Sequence, residues 1–230
     1  MLSMAHIMNY IQEPSSLNNL SFLDKYKLFI VDYDGTVLNS MRMWDKLISS
    51  FVKDEGIVTN IDVDKVVIKQ TSVETLNYLH ETFFNNISKE ELENKLFDYV
   101  KKSYVKQELK PNALKLLNEF SKRGKIILFS ATANYLLNAS FEKNNVNKYF
   151  SNIYSASDLK TTKLDGSGFE LVCNLENYKV EDALVVEDAI YAIEGAKAKS
   201  FDCLAIYDYQ KSWEKIKELA DYNLDLVNLD

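Results

Sequence analysis

The stretch Leu28-Phe29-Ile30-Val31-Asp32-Tyr33-Asp34-Gly35-Thr36 constrains this chain more than any other. Four consecutive apolar residues read as a short buried strand. Two acids follow, one residue apart. Alternation along an extended chain turns Asp32 and Asp34 to the same side, and Gly35 lets the backbone turn away behind them. A pair of carboxylates then stands at the C-terminal end of a buried strand, the edge at which open α/β sheets bind ligands. Two carboxylates side by side repel, and a shared proton or a cation relieves them. A hard divalent ion that prefers oxygen ligands, Mg²⁺ above all, meets that demand. Read alone, Asp-Gly is also an ordinary turn start; the rest of the chain decides between the two.

Residues 1–25 read as an N-terminal extension with a short helix, carrying His6 as a solvated side chain. From 40 to 109 the periodicity is helical throughout. Trp44, Leu47, Ile48, Phe51 and Val52 form one stripe, and Val73, Leu76, Leu79 and Phe83 a second. Ser88 and Glu91 form a capping box that opens a third, through Leu92, Leu96, Tyr99 and Val100. This is a helical insert placed directly after the acidic turn, where it can cover a site, with hinges expected at 38–41 and 109–112.

Beyond it, Pro111 starts a helix that Gly124 ends, and the chain then alternates. Strands are expected at 126–129, 152–155, 183–186 and 203–207. Helices are expected at 135–143, 168–175, 190–199 and 213–220, followed by a tail. Such alternation predicts an α/β fold, a doubly wound parallel sheet with a small all-helical domain inserted. The sheet domain comprises 1–39 and 110–230, and the helical domain 40–109.

With 230 residues, 47% of them hydrophobic, the chain can bury one sizeable core and a smaller second one. Its net charge of −7, with no dense basic run, excludes an electrostatic case for nucleic acid or an anionic membrane. No apolar run approaches the ~20 residues that span a bilayer. Residues 1–14 lack the basic start and apolar core of a signal peptide. Cys173 and Cys203 lie in apolar contexts without metal-ligand spacing and read as small core residues, in keeping with a reducing, cytoplasmic setting. The residues carry no signal for an oligomeric state.

The expected strands end in polar groups on one sheet edge. The first ends in Asp32 and Asp34, the second in Ser130-Ala131-Thr132, and the fourth in Glu187-Asp188, while Lys163 lies in a polar loop before a helix. Singly, these are ordinary helix caps or a surface lysine. Together they suit phosphoryl transfer. The hydroxyl, the N–H groups at a helix start and the ammonium hold phosphate oxygens. A metal neutralises charge between phosphate and carboxylates. One carboxylate can attack phosphorus and another can move a proton.

With these residues in place, the chain resembles the haloacid dehalogenase superfamily of phosphatases and phosphotransferases, in the subgroup with a helical cap after the first motif. D-Y-D-G-T-V-L-N-S is similar to the first motif, F-S-A-T-A-N to the second, Lys163 to the third and V-V-E-D-A to the fourth, over about residues 26–225. The resemblance implies that Asp32 is the nucleophile, forming an aspartyl-phosphate. It implies that Asp34 is the general acid and base and, through its backbone carbonyl, a Mg²⁺ ligand. Ser130, Ala131 and Lys163 would hold the phosphoryl group, and Asp32 and Asp188 the metal, with Glu187 a further candidate. Lys160 rivals Lys163, since Leu164 stands where the family usually has proline. Ala133 and Trp44 stand where β-phosphoglucomutase has a lysine and a histidine. The expectation is therefore a Mg²⁺-dependent phosphatase acting on a small phosphorylated metabolite. The alternatives are a sugar-phosphate mutase and a catalytically idle metal- or phosphate-binding protein.

Overall fold

In the computed structural model, which describes residues 20–209 and 212–227, strand β1 (Leu28–Val31) is buried at every position. It is buried because it is central. β2 (Lys125–Ser130) flanks it on one side and β4 (Ala183–Glu187) on the other. β3 (Asn152–Ser155), β5 (Asp202–Ile206) and β6 (Tyr222–Leu224) complete a six-stranded sheet of order β3-β2-β1-β4-β5-β6. Every pairing is parallel.

Alternation sorts the strand residues between two layers. Leu28 and Ile30 share a core with Phe169, Val172 and Cys173 of the helix Ser167–Leu175, Ala192, Ile193 and Ala196 of the helix Ile190–Ala198, and Ile216 of the helix Trp213–Leu219. Phe29 points the other way and stacks on Phe120 of the helix Ala113–Ser121, ring centroids 4.5 Å apart. On that same side Tyr33 meets Phe141 of the helix Asn134–Asn144 edge-on. The sheet is thus covered on both faces, as a doubly wound parallel sheet must be. Both cysteines are buried and unpaired. Among the described residues no helix is long and apolar enough to cross a membrane.

The described chain divides into two compact units. One holds the residues up to Asn39 and those from Glu108 onward; the other is Ser40–Gln107. Glu108 and Leu109 go with the sheet because the Asn39 N–H donates to the Glu108 carbonyl (2.9 Å) and Leu38 bridges Leu109 antiparallel. The second unit is helical: α1 (Met41–Trp44), α2 (Leu47–Asp54), α3 (Val63–Val67), α4 (Ser72–Thr82) and α5 (Lys89–Val105). Its core is Phe51, Val52, Val63, Leu79, Phe84 and Leu92.

Several local expectations differ from the structure. Val73 is 68% exposed, because the buried side of α4 runs through Thr75 and Leu79. The Ser88 hydroxyl accepts from the Glu91 N–H, but the box with both bonds closes at Thr71 and Glu74. The helix after Pro111 begins only at Ala113, since Asn112 adopts a left-handed φ of 56°. The tail contains β6, three residues that pair with β5. His6 and most of the N-terminal extension lie outside the described residues; within it, Ser21–Lys25 forms a 3₁₀ turn.

Candidate active site

In this strand order the chain moves outward from β1 in both directions, so β1 and β4 flank the point where the winding reverses. That is where open parallel sheets form a crevice at their C-terminal ends. The register pairs Val31 with Val186, which sets Asp32 level with Glu187. The Asp32 N–H donates to the Val186 carbonyl (3.0 Å), extending the ladder by one step and fixing the Asp32 backbone.

Asp32, Glu187 and Asp188 are all buried, and one carboxylate oxygen from each lies within 4.8 Å of the others. Lys163, 4% exposed, is the ammonium among them. Its Nζ donates to Asp32 Oδ1 and, at 2.6 Å, to Glu187 Oε1. It also lies over the Phe129 ring, 5.4 Å from the centroid. The other Glu187 oxygen accepts from the backbone N–H groups of Asp188 (3.0 Å) and Ala189 (3.1 Å). Both Glu187 oxygens are therefore engaged by protein donors. Asp188 Oδ1 accepts from the Thr36 hydroxyl (3.2 Å).

The close approach of Asp188 explains Gly35. With φ at +80°, Gly35 lies in the left-handed region, and a Cβ there would overlap Asp188 Oδ2. Lys163 is delivered in a comparable way. A Cβ on Gly195, inside the helix after β4, would overlap the Lys163 carbonyl oxygen, so that helix and the lysine loop meet backbone to backbone. Lys160, by contrast, is exposed, with φ at 51°, while Lys163 reaches Asp32.

Ser130 is the last residue of β2 and is buried; its Oγ accepts from the Thr132 N–H (3.1 Å). The Thr132 hydroxyl donates to Asp34 Oδ2 (2.7 Å), tying the second motif to the second acid. Ala131, between them, is exposed, ahead of the helix Asn134–Asn144. The residues expected from sequence thus come together on one edge of the sheet unit. Thr132, which the strand-end pattern named with Ser130, has Asp34 as its partner, whereas no contact of Thr36 or Gly195 was expected. The Gly195 signal was a glycine inside a helical pattern, which usually marks a close approach.

The electrostatics are those of a cation site. Burial, with the charge of Glu187, raises the Asp32 pKa to about 8 despite Lys163. Burial and the same neighbour push Asp188 well above the carboxylate range. Burial opposes the Lys163 charge, yet Asp32 and Glu187 outweigh it and raise its pKa. Without a cation, burial favours protons on Asp32 and Asp188; once ionised, the three carboxylates against one ammonium would carry two negative charges in excess. A divalent cation matches that excess, and the all-oxygen donor set suits Mg²⁺.

The chain matches the haloacid dehalogenase-like hydrolase family over residues 26–198. It belongs to that family. Among curated proteins, none matches it significantly. Solved structures share its fold at low identity. One assigned as a β-phosphoglucomutase, from Thermotoga maritima, is 19% identical with a TM-score of 0.75, over 87% of this chain and 94% of that one. A haloacid dehalogenase-like hydrolase from Bacillus subtilis, solved with bound magnesium, is 15% identical with a TM-score of 0.67, over 86% and 94%. CbbY from Rhodobacter sphaeroides, solved with phosphate, is 13% identical with a TM-score of 0.66, over 87% and 94%.

Proposed function

We propose that this protein is a Mg²⁺-dependent phosphatase that hydrolyses a small phosphorylated metabolite through an aspartyl-phosphate. The observation that carries the reading is the buried cluster of Asp32, Glu187 and Asp188, which shares one ammonium and, once ionised, would be short of two positive charges. Asp32 and Asp188, with the Asp34 backbone carbonyl, would hold the ion. Glu187, its oxygens taken by Lys163 and two backbone N–H groups, would support the site rather than bind the ion directly. When bound, Mg²⁺ supplies charge neutralisation between the phosphate and the carboxylates.

The residues of the chain divide the chemistry. An Asp32 oxygen attacks phosphorus in line, forming an O–P bond as the bond from phosphorus to the leaving oxygen breaks. Asp34, protonated, gives its proton to that oxygen. In the second step Asp34 takes a proton from water, the water oxygen bonds to phosphorus, and the Asp32–phosphorus bond breaks to release inorganic phosphate. Lys163 carries positive charge beside Asp32, where the transferring oxygens pass. Ser130 and the N–H groups after it, Ala131 included, receive those oxygens. Thr132 orients the Asp34 carboxyl.

The test is phosphate release from a panel of phosphorylated metabolites, with Mg²⁺ and with chelator. Release only with Mg²⁺ is expected, and full turnover in excess chelator contradicts the reading. Isomerised product without released phosphate points to a mutase instead, and no reaction on any substrate to a binding protein. Asp34→Asn sharpens the assignment. General acid–base help is worth roughly 10²–10⁴-fold, so the loss in kcat/KM should be largest on alkyl phosphates and smaller on aryl phosphates, whose leaving group needs no proton. Equal loss on both would remove Asp34 from that role.

A further inference from the structure

Among the described residues two lysines are buried, and the chemistry above uses only Lys163. The other, Lys110, follows the point where the chain returns from the helical unit. Its backbone N–H donates to the Val37 carbonyl (2.8 Å). Its Nζ crosses to β5, donating to the Tyr207 carbonyl (2.7 Å) and lying 3.5 Å from Asp208 Oδ1.

These anchors bracket Asp188. The register pairs Glu187 with Ala205, so Asp188 runs alongside Ile206, and Tyr207 and Asp208 follow directly on that strand. On the other side, Val37 belongs to the turn Asp34–Leu38, whose Thr36 hydroxyl donates to Asp188. Lys110 therefore holds the turn with its backbone and the end of β5 with its side chain, with Asp188 between. Burial lowers the Lys110 pKa, while the carboxylates of Asp208 and Asp188 raise it, so its charge is felt at Asp188. Among the described residues, Asp208 Oδ2 is buried with no hydrogen-bond partner. A buried ion pair is by itself weak evidence of stabilisation. Its value lies in what it positions.

We infer that Lys110 is a positioning residue for the divalent-cation site, clasping the Asp34–Leu38 turn to the end of β5 so that Asp188 is held toward Asp32. The inference rests on the Mg²⁺ reading of that site. It makes a prediction opposite in sign to simple electrostatics. Removing a positive charge near a cluster of acids would tighten cation binding through Coulomb attraction alone. Losing the clasp should weaken it.

The experiment is a calorimetric Mg²⁺ titration of the full chain, with thermal melts as a check of folding and turnover measured against Mg²⁺ concentration. Lys110→Met should bind Mg²⁺ roughly 10-fold more weakly, the size typical when a partner behind a metal ligand is lost. The Mg²⁺ needed for half-maximal turnover should rise in step, with kcat at saturating Mg²⁺ largely kept. Lys110→Gln, which keeps a donor for the Tyr207 carbonyl, should weaken binding by a smaller factor. Unchanged or tighter Mg²⁺ binding in either folded variant overturns the inference, even if the melt falls. If Lys110→Met does not fold, the same outcomes in Lys110→Gln decide. A parent protein that takes up no Mg²⁺ overturns the metal reading itself, and this inference with it.

Discussion

The two units are built on opposite principles. In the helical unit no charged side chain is buried among the described residues; its interior is aromatic and aliphatic, with charges at the surface. The sheet unit buries Asp32, Lys110, Lys163, Glu176, Glu187, Asp188 and Asp208. Most of these stand where β1, β4 and β5 end. Burying charge is costly unless it is paired and hydrogen-bonded, and here four acids at that edge, Asp32, Glu187, Asp188 and Asp208, meet two lysines, Lys110 and Lys163. The difference teaches where each unit's free energy goes. The helical unit maximises apolar burial, whereas the sheet unit gives up stability at one edge to hold acids that a cation can complete.

The sharpest way to break this comparison is Asp32→Asn. An amide cannot form an acyl-phosphate, so turnover should vanish. With its pKa near 8, Asp32 is largely protonated in the metal-free protein at neutral pH, and asparagine imitates that form. The metal-free melting temperature should therefore hold. A large drop in melting temperature would mean that the ionised acid stabilises the fold, contrary to the view above.

Lys163→Met tests the pairing. It leaves Glu187 buried without its cation and Asp32 without its donor, and removing one partner of a buried pair costs about 3–5 kcal/mol. Denaturant melts without metal should show that loss, and Mg²⁺ should recover part of it. No destabilisation would indicate that the acids simply take up protons.

Leu79→Ala makes the reciprocal test. Leu79 is fully buried in the helical core, and such truncations cost about 2–5 kcal/mol. The loss should appear in melts while Mg²⁺ affinity stays at its parent value. A change in Mg²⁺ affinity would show that the units are not energetically separate.

A smaller effect is the pH dependence. The folded-state pKa of Asp32 is raised from near 4 to about 8, so the native state keeps a proton that the unfolded chain releases. That contribution is fully present below about pH 4 and is lost as pH rises toward 8. Metal-free stability should fall from pH 5 to pH 8, and saturating Mg²⁺, which binds the ionised acids, should flatten the trend. If the units melt separately, only the sheet transition should show it. The smallest effect is Thr71→Ala, which removes the capping box of α4 and should cost about 1 kcal/mol in the helical unit. It should leave Mg²⁺ binding untouched.

What the residues determined by themselves was the strand–acid–glycine unit, the alternation that makes a parallel sheet, and the helical stretch after it. These are local patterns: four apolar residues in a row, acids two apart, stripes at helical spacing. Asp32, Asp34, Ser130, Glu187 and Asp188 stood out because they follow or close expected strands, whereas Lys163 stood out only as a lysine in a polar loop before a helix. Tertiary structure alone decided the rest. Lys163 rather than Lys160 reaches Asp32, because one loop carries both and only the backbone contact at Gly195 sets which one points inward. β6 is three residues long, too short for a pattern, and is a strand only because β5 offers an edge to pair with. Thr36 against Asp188, and Lys110 against Tyr207 and Asp208, join residues about a hundred or more positions apart in sequence. No local periodicity encodes such contacts; they exist because the parallel register brings distant strand ends to one level.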